Sequence, residues 1–238
     1  MSESRVDSPL VEFLAKELER TQDELPKLAR THMHALRLSR QADFDVLEVA
    51  RLGEEDPSIA TRLLQTANSS FHSRGLKIRN VEQAALRLGV RGVRYMLYVA
   101  VYAQMVFDVP RYRDLIHNSF RHSVIVARLA RRIAALGDTD VDLAYLSGLL
   151  HDVGKARCYQ LAAAHPEFGS DYEHVTAAVH RLHAKSGVAM IRDWSLPREV
   201  INAVARHHSP TSDALECCVA LSDTIVHMVE NPHSTPQE

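Results

Sequence analysis

Glycine and proline are scarce in this chain, nine of each among 238 residues. With so few helix breakers and an abundance of Ala, Leu and Arg, helix is favoured over sheet. Cysteine is scarcer still: three residues, an odd number, with Cys217 and Cys218 adjacent. That pattern excludes a disulfide framework and makes a reducing cytoplasm the simplest home. No charge sign dominates, because 28 Lys and Arg face 30 Asp and Glu for a formal net charge of −2. Broad electrostatic capture of nucleic acid is therefore not expected. No apolar run approaches the roughly 20 residues that cross a bilayer, and Met1–Pro9 has no apolar signal core; no membrane partner is expected. The 46% hydrophobic and 24% charged content is that of an ordinary globular protein. A chain of this length can bury one large core or two joined subdomains.

Apolar residues recur at helical spacing throughout, and alternating strand patterns are lacking, so the expectation is an all-α protein. It divides into an N-terminal segment (1–23), a helical part (24–112), a second helical part (113–230) and a loose tail (231–238), the two parts meeting near residues 108–116. Residues 1–8 are polar and expected to fray. Helices are expected over Val11–Arg20, over Pro26–Leu38, with proline at a helix start, and over Phe44–Leu52, stopped near Gly53. Asp56-Pro57 starts another, because Asp caps well and Pro fits the first turn; it ends near Asn68-Ser69. Arg74-Gly75-Leu76 reads as a loop. Val81–Leu88 and Val90–Phe107 are separate helices around Gly89, and Pro110 interrupts the chain.

The second part carries the chemistry. His151-Asp152-Val153-Gly154-Lys155 brings an imidazole and a carboxylate into one small volume, a donor mix that suits iron, manganese or zinc. Lys155 adds a compact positive charge for an anion. The segment Phe120–Leu136 reads as a helix with a buried stripe of Val126, Leu129 and Ile133, and His122 shares that face. Leu143–Leu150, ending at His151, is almost wholly apolar. His183 continues the stripe of Val175 and Val179, His207-His208 ends the apolar run of Val200, Ile201 and Val204, and Asp223 lies between Val219 and Val226. A single inward histidine is ordinarily a hydrogen-bonded core residue. Five histidines and two aspartates on successive apolar helices are less easily explained that way, since a buried carboxylate needs a partner. Seven donors suffice for two metal sites sharing a bridging carboxylate.

The pattern of His122, then Leu149-Leu150-His151-Asp152-Val153-Gly154-Lys155, then Asp223 resembles the HD superfamily of metal-dependent phosphohydrolases. Upstream, Asp56-Pro57-Ser58-Ile59-Ala60-Thr61-Arg62-Leu63-Leu64-Gln65-Thr66-Ala67-Asn68-Ser69 and Ile78 to Gly89 are similar to the N-terminal signature of HDOD domains. So are His183-Ala184-Lys185-Ser186-Gly187, Trp194-Ser195-Leu196-Pro197 and His207-His208. The resemblance covers roughly residues 24–230. It implies an N-terminal helical part of an HDOD domain followed by an HD-like helical subdomain. It also implies a signalling or regulatory role, since HDOD domains are usually described so and many have lost parts of the HD metal site. The related HD-GYP domains hydrolyse cyclic di-GMP. Here the positions matching HD-GYP ligands are retained: His122, His151, Asp152, His183, His207, His208 and Asp223. The Gly-Tyr-Pro element is absent, for Ser209-Pro210-Thr211-Ser212-Asp213 follows the histidine pair.

Two functions follow. The first is a regulatory HDOD module with a retained metal site, acting on a protein partner or a phosphorylated small molecule or nucleotide. The second is a metal-dependent phosphohydrolase or phosphodiesterase in which Asp152 bridges a dinuclear centre, activated water attacks phosphorus and Lys155 holds the phosphate. Metal content and turnover discriminate them. No receiver, kinase or output domain is legible, so signalling is expected to run through noncovalent association or a small ligand.

Other features carry blander readings. The helices Asp56–Ala67 and Val81–Leu88, with Arg87, Arg91 and Arg94, are read as a packed subdomain with a solvated basic edge rather than a DNA reader. Arg131-Arg132 is read as an exposed helix face and Trp194, the sole tryptophan, as a packing anchor. Some of the other histidines lie within a turn of these candidate ligands, so a swap such as His180 for His183 stays open; His183 is preferred because it matches the position in the resemblance and continues the Val175–Val179 stripe.

Overall fold

The computed structural model describes residues 9–21, 28–69, 77–104, 109–165 and 172–232. The expected frayed start (1–8), the helix start at Pro26, the loop at Arg74–Leu76 and most of the expected tail lie outside these residues. Every regular element among the described residues is a helix, as the scarcity of glycine and proline predicts. No helix among them is long and apolar enough to cross a membrane. Contacts group the chain into two units, one of residues 27–104 and one of residues 1–26 together with 105–238.

The 27–104 unit contains α2 (Arg30–Ser39), α3 (Val46–Glu55), α4 (Pro57–Ala67) and α5 (Val81–Gln104). Asp56 caps α4 as the Asp-Pro pair predicts, its carboxylate accepting the Ser58 N–H at 2.9 Å. Gly53 does not stop α3. It lies inside the helix and buried, where an added Cβ would press to 3.2 Å from Ala60 of α4. The helix breaker thus serves a close crossing. Gly89 bends α5 with φ +64°, a left-handed conformation that glycine adopts without strain. Fully buried Val49, Ile59, Leu63, Val93 and Leu97 form the core, each such side chain contributing about 1.5–3 kcal/mol. Arg94 is not part of a solvated basic edge: it is buried, and its guanidinium donates to the carbonyls of Ser39, Gln41 and Ala42 at 2.7–3.0 Å, satisfying the exit from α2.

The other unit holds α1 (Pro9–Arg20), α6 (Arg113–Ala134, entered through a 3-10 turn at Pro110–Tyr112), α7 (Val141–Leu150), α8 (Gly154–Ala164), α9 (Tyr172–Ile191), α10 (Arg198–Arg206) and α11 (Ala214–Glu230). The N-terminal helix α1 packs on α8 and α9, with Leu10 and Leu14 joining Tyr159, Leu161, Val175 and Val179 in one cluster. The apolar α7 is buried from Ala144 onward and lies tightly on α6, where a Cβ on Gly148 would fall 2.9 Å from Ala127 Cα. Trp194 is buried in the 3-10 turn after α9, which Ser195 closes in the left-handed region at φ 53°. These packings aim one face each of α6, α7, α9, α10 and α11 at a common interior point.

Candidate metal centre

His151 caps the end of α7, and Asp152 and Val153 turn the chain directly into α8, leaving His151 and Asp152 buried together. Gly154 permits this. A Cβ there would collide with the backbone of His183 and Gly187 in α9. Bare glycine therefore lets α8 begin against α9 and brings His183 to within 3.3 Å of Asp152 Oδ1, Nε2 to oxygen.

The seven residues singled out in the sequence form one connected cluster. His122, His151 and Asp223 make one set of donors, and Asp152, His183 and His207 a second, the donor atoms within each lying within 4.8 Å of one another. His208 joins His207 and Asp223 in the same way, and its Nε2 is 3.1 Å from His183 Nε2. Asp152 stands between the sets: Oδ2 is 3.4 Å from His151 Nε2, while Oδ1 faces His183 and, at 4.0 Å, His207. Asp223 Oδ1 reaches His122 Nε2 at 2.9 Å and His151 Nε2 at 3.6 Å. Lys155 Nζ donates to Asp152 Oδ2 at 2.5 Å from the partly open side. His180 is exposed at the rim, its ring centroid 4.8 Å from that of His208 and a ring nitrogen within 4.8 Å of donor atoms of His183 and His208, whereas His183 is fully buried in the cluster.

Hydrogen bonds fix the ring orientations. The Nδ1–H of His151, His183 and His207 donates to the carbonyls of Gly148 (2.8 Å), Val179 (3.2 Å) and Val204 (2.8 Å). A carbonyl only accepts, so each Nδ1 carries the proton and Nε2 points into the cluster. Burial holds His183 and His207 neutral, pushing them down to about 4 and about 2. Their two Nε2 atoms nevertheless lie 3.0 Å apart. Lone pair faces lone pair, an arrangement that a cation between them converts from repulsion to attraction. Burial also works against charge on Asp152, but His151, Lys155 and the neighbouring imidazoles outweigh it and keep the carboxyl well below its ordinary range. The same balance, with His122 and His151 as donors, lowers Asp223. Among the described residues His151 Nε2 and Asp152 Oδ1 are buried without a hydrogen-bond partner. Neutral imidazoles, ionised carboxylates and orphaned donor atoms fit divalent iron, manganese or zinc.

Two acidic residues were not singled out in the sequence. Glu216, 2% exposed, accepts the N–H and hydroxyl of Thr211 at 2.9 Å and an Arg206 N–H at 3.2 Å, so it ties down the loop that follows the histidine pair. Glu230 Oε2 lies 2.8 Å from His122 Nδ1. Its spacing of two helical turns from Asp223 was the available signal.

The HDOD domain family model matches residues 25–210 of this chain. An uncharacterised protein of Treponema pallidum is 25% identical over 201 residues, 79% of this chain and 38% of that protein. Ribonuclease Y of Thermus thermophilus is 33% identical over 129 residues, 54% of this chain and 18% of that protein. The chain thus spans well under half the length of these curated relatives. Among solved structures, a candidate metal-dependent phosphohydrolase of Shewanella amazonensis superposes with a TM-score of 0.72 at 22% identity, covering 96% of this chain and 86% of the other. An HDOD domain protein of unknown function from Geobacter sulfurreducens gives 0.68 at 23%, covering 94% and 80%. At such identities the likeness establishes the fold.

Proposed function

The chain belongs to the HDOD domain family, and on that premise we propose that it is a regulatory HDOD protein that holds two divalent metal ions around Asp152. The observation that carries this reading is the opposition of the His183 and His207 Nε2 atoms, 3.0 Å apart, with both Nδ1 atoms committed to carbonyls. His122, His151 and Asp223 would hold one ion, and His183, His207 and His208 the other. Asp152 would present one oxygen to each. The partner of such a module is a protein or a phosphorylated small molecule or nucleotide.

A second reading, phosphoester hydrolysis, has its own support. Lys155 Nζ sits at the partly open side of the cluster, beside the carboxylate that serves both halves, where it can bind a phosphate oxygen. Ribonuclease Y, a name that denotes action on RNA, is among the relatives, which adds phosphodiesters to the substrate classes worth testing. Divalent metals at such a centre would acidify water and offset charge on phosphoryl oxygens.

Metal analysis and turnover on one preparation test both readings. Purified protein should carry iron, manganese or zinc near stoichiometry, and His151→Ala with Asp152→Ala should remove it. Protein that is metal-free and gains no thermal stability from any of the three ions sinks the metal centre, because a ligand that binds only the folded state must stabilise it. Metal-loaded protein should then be offered nucleotides, cyclic dinucleotides, short RNA and generic phosphoesters. Hydrolysis abolished by Asp152→Asn in a folded variant establishes the enzyme, and Lys155→Ala should then impair phosphate binding more than metal content. Metal-loaded but inert protein leaves the regulatory reading alone.

A further inference from the structure

We infer that Glu230 is a positioning residue of the metal centre, holding His122 so that Nε2 faces the ion shared with His151 and Asp223. The inference rests on the metal reading above and extends it to a residue outside the donor set.

His151, His183 and His207 are each oriented by a carbonyl three or four residues earlier in their own segment. His122 is oriented differently. Its Nδ1 lies 2.8 Å from Glu230 Oε2, a residue 108 positions away at the last turn of α11. Its Nε2 lies 2.9 Å from Asp223 Oδ1 on the same helix. Two carboxylates seven residues apart on one face of α11 therefore grip opposite edges of one imidazole. With Nε2 given to a metal, Nδ1 must carry a proton, and a carboxylate is the strongest acceptor for it. A charged acceptor behind a histidine fixes its tautomer and raises its basicity as a ligand.

The consequence is an asymmetric centre. The His122 half has Asp223 and Glu230 in addition to the shared Asp152. The His183–His207 half shares Asp152 and, through His207 and His208, Asp223, but the contact that Glu230 makes is with His122. Removing Glu230 should therefore be felt by one ion and spare the other. Loss of such an outer partner commonly costs about 10–100-fold in metal affinity.

The test is titration of the metal-free 238-residue chain with Zn²⁺ and Mn²⁺ by calorimetry, for wild type, Glu230→Ala and Glu230→Gln. Glu230→Ala should weaken one of two equivalents about 10–100-fold and leave the other nearly unchanged. Glu230→Gln keeps an oxygen that can accept from Nδ1–H and should recover a substantial part of the loss. In Zn²⁺-loaded wild type, ¹H–¹⁵N spectra should show a slowly exchanging proton on His122 Nδ1 that Glu230→Ala loses. Circular dichroism and melting of the metal-free variants identify any general loss of fold, and Glu230→Gln still decides the matter if Glu230→Ala is unstable. Unchanged affinities in both variants, an equal loss at both equivalents, or Glu230→Gln no better than Glu230→Ala overturns the role of Glu230 while leaving the metal centre standing. Wild type that binds no metal overturns both.

Discussion

Asp152 concentrates the demands of the site in one side chain. It is 2% exposed, it serves both donor sets, and it holds Lys155. Asp152→Asn keeps the size and removes the charge, so it should lower metal stoichiometry while metal-free circular dichroism stays that of wild type. Retention of both metals in that variant would contradict a shared carboxylate. A second residue-scale prediction concerns His32, buried in the 27–104 unit. Burial pushes its imidazole below the ordinary value, against the pull of Asp56 at 3.2 Å and with the help of Arg62. The unfolded chain then binds that proton more readily than the folded one. Stability from a neutral His32 is complete above about pH 6.5 and drains away as pH falls below it. Melting temperature should decline less between pH 8 and pH 5 in His32→Gln than in wild type; parallel slopes would dismiss the effect. All seven donor residues brought together here were legible in the sequence because each lies on, or at the end of, an apolar helical face. Glu230 was not. It is the exposed last residue of α11, and only its distance from Asp223 hints at a shared face.

At the scale of elements, glycines decide where helices may touch. Gly154 lets α8 start against the backbone of α9, and that crossing sets the distance between Asp152 and His183. Because the obstacle is main chain, no rotamer change can relieve an added methyl. Gly154→Ala should destabilise by at least the 1–3 kcal/mol typical of overpacking and should weaken metal binding at the His183–His207 half. Gly137→Ala, at a glycine with nothing within 4 Å of its would-be Cβ, is the control. Equal melting temperatures for the two variants would show that the crossing tolerates a shift. The sequence places helix starts well where a side chain caps them, as at Asp56-Pro57. It places glycines less well, because propensity marks Gly53 as a stop while tertiary packing uses it inside α3. Helix α6 likewise begins at Arg113, well before the apolar stripe that announces it at Phe120. The 3-10 turn at Pro110–Tyr112 leads directly into its first turn.

At the scale of the molecule, helix α1 belongs with α8 and α9, far downstream in the chain. Leu14 is fully buried against the cluster that includes Tyr159 and Val179. Nothing in the local pattern of α1 shows which helices will cover its apolar stripe, so this pairing was not legible. Leu14→Ala should cost about 2–5 kcal/mol, and the loss should fall on the unit that carries the metal cluster. Urea unfolding that leaves the midpoint unchanged would place α1 outside that cooperative unit.

The buried Trp194 makes that measurement selective. It is the sole indole of the chain, and it lies in the unit of residues 1–26 and 105–238. Its fluorescence is an internal optical reporter for this unit alone, silent about the 27–104 unit, whose unfolding circular dichroism would register together with it. Comparing the two signals across a denaturant or metal titration resolves whether the chain melts in one transition or two, with no label attached.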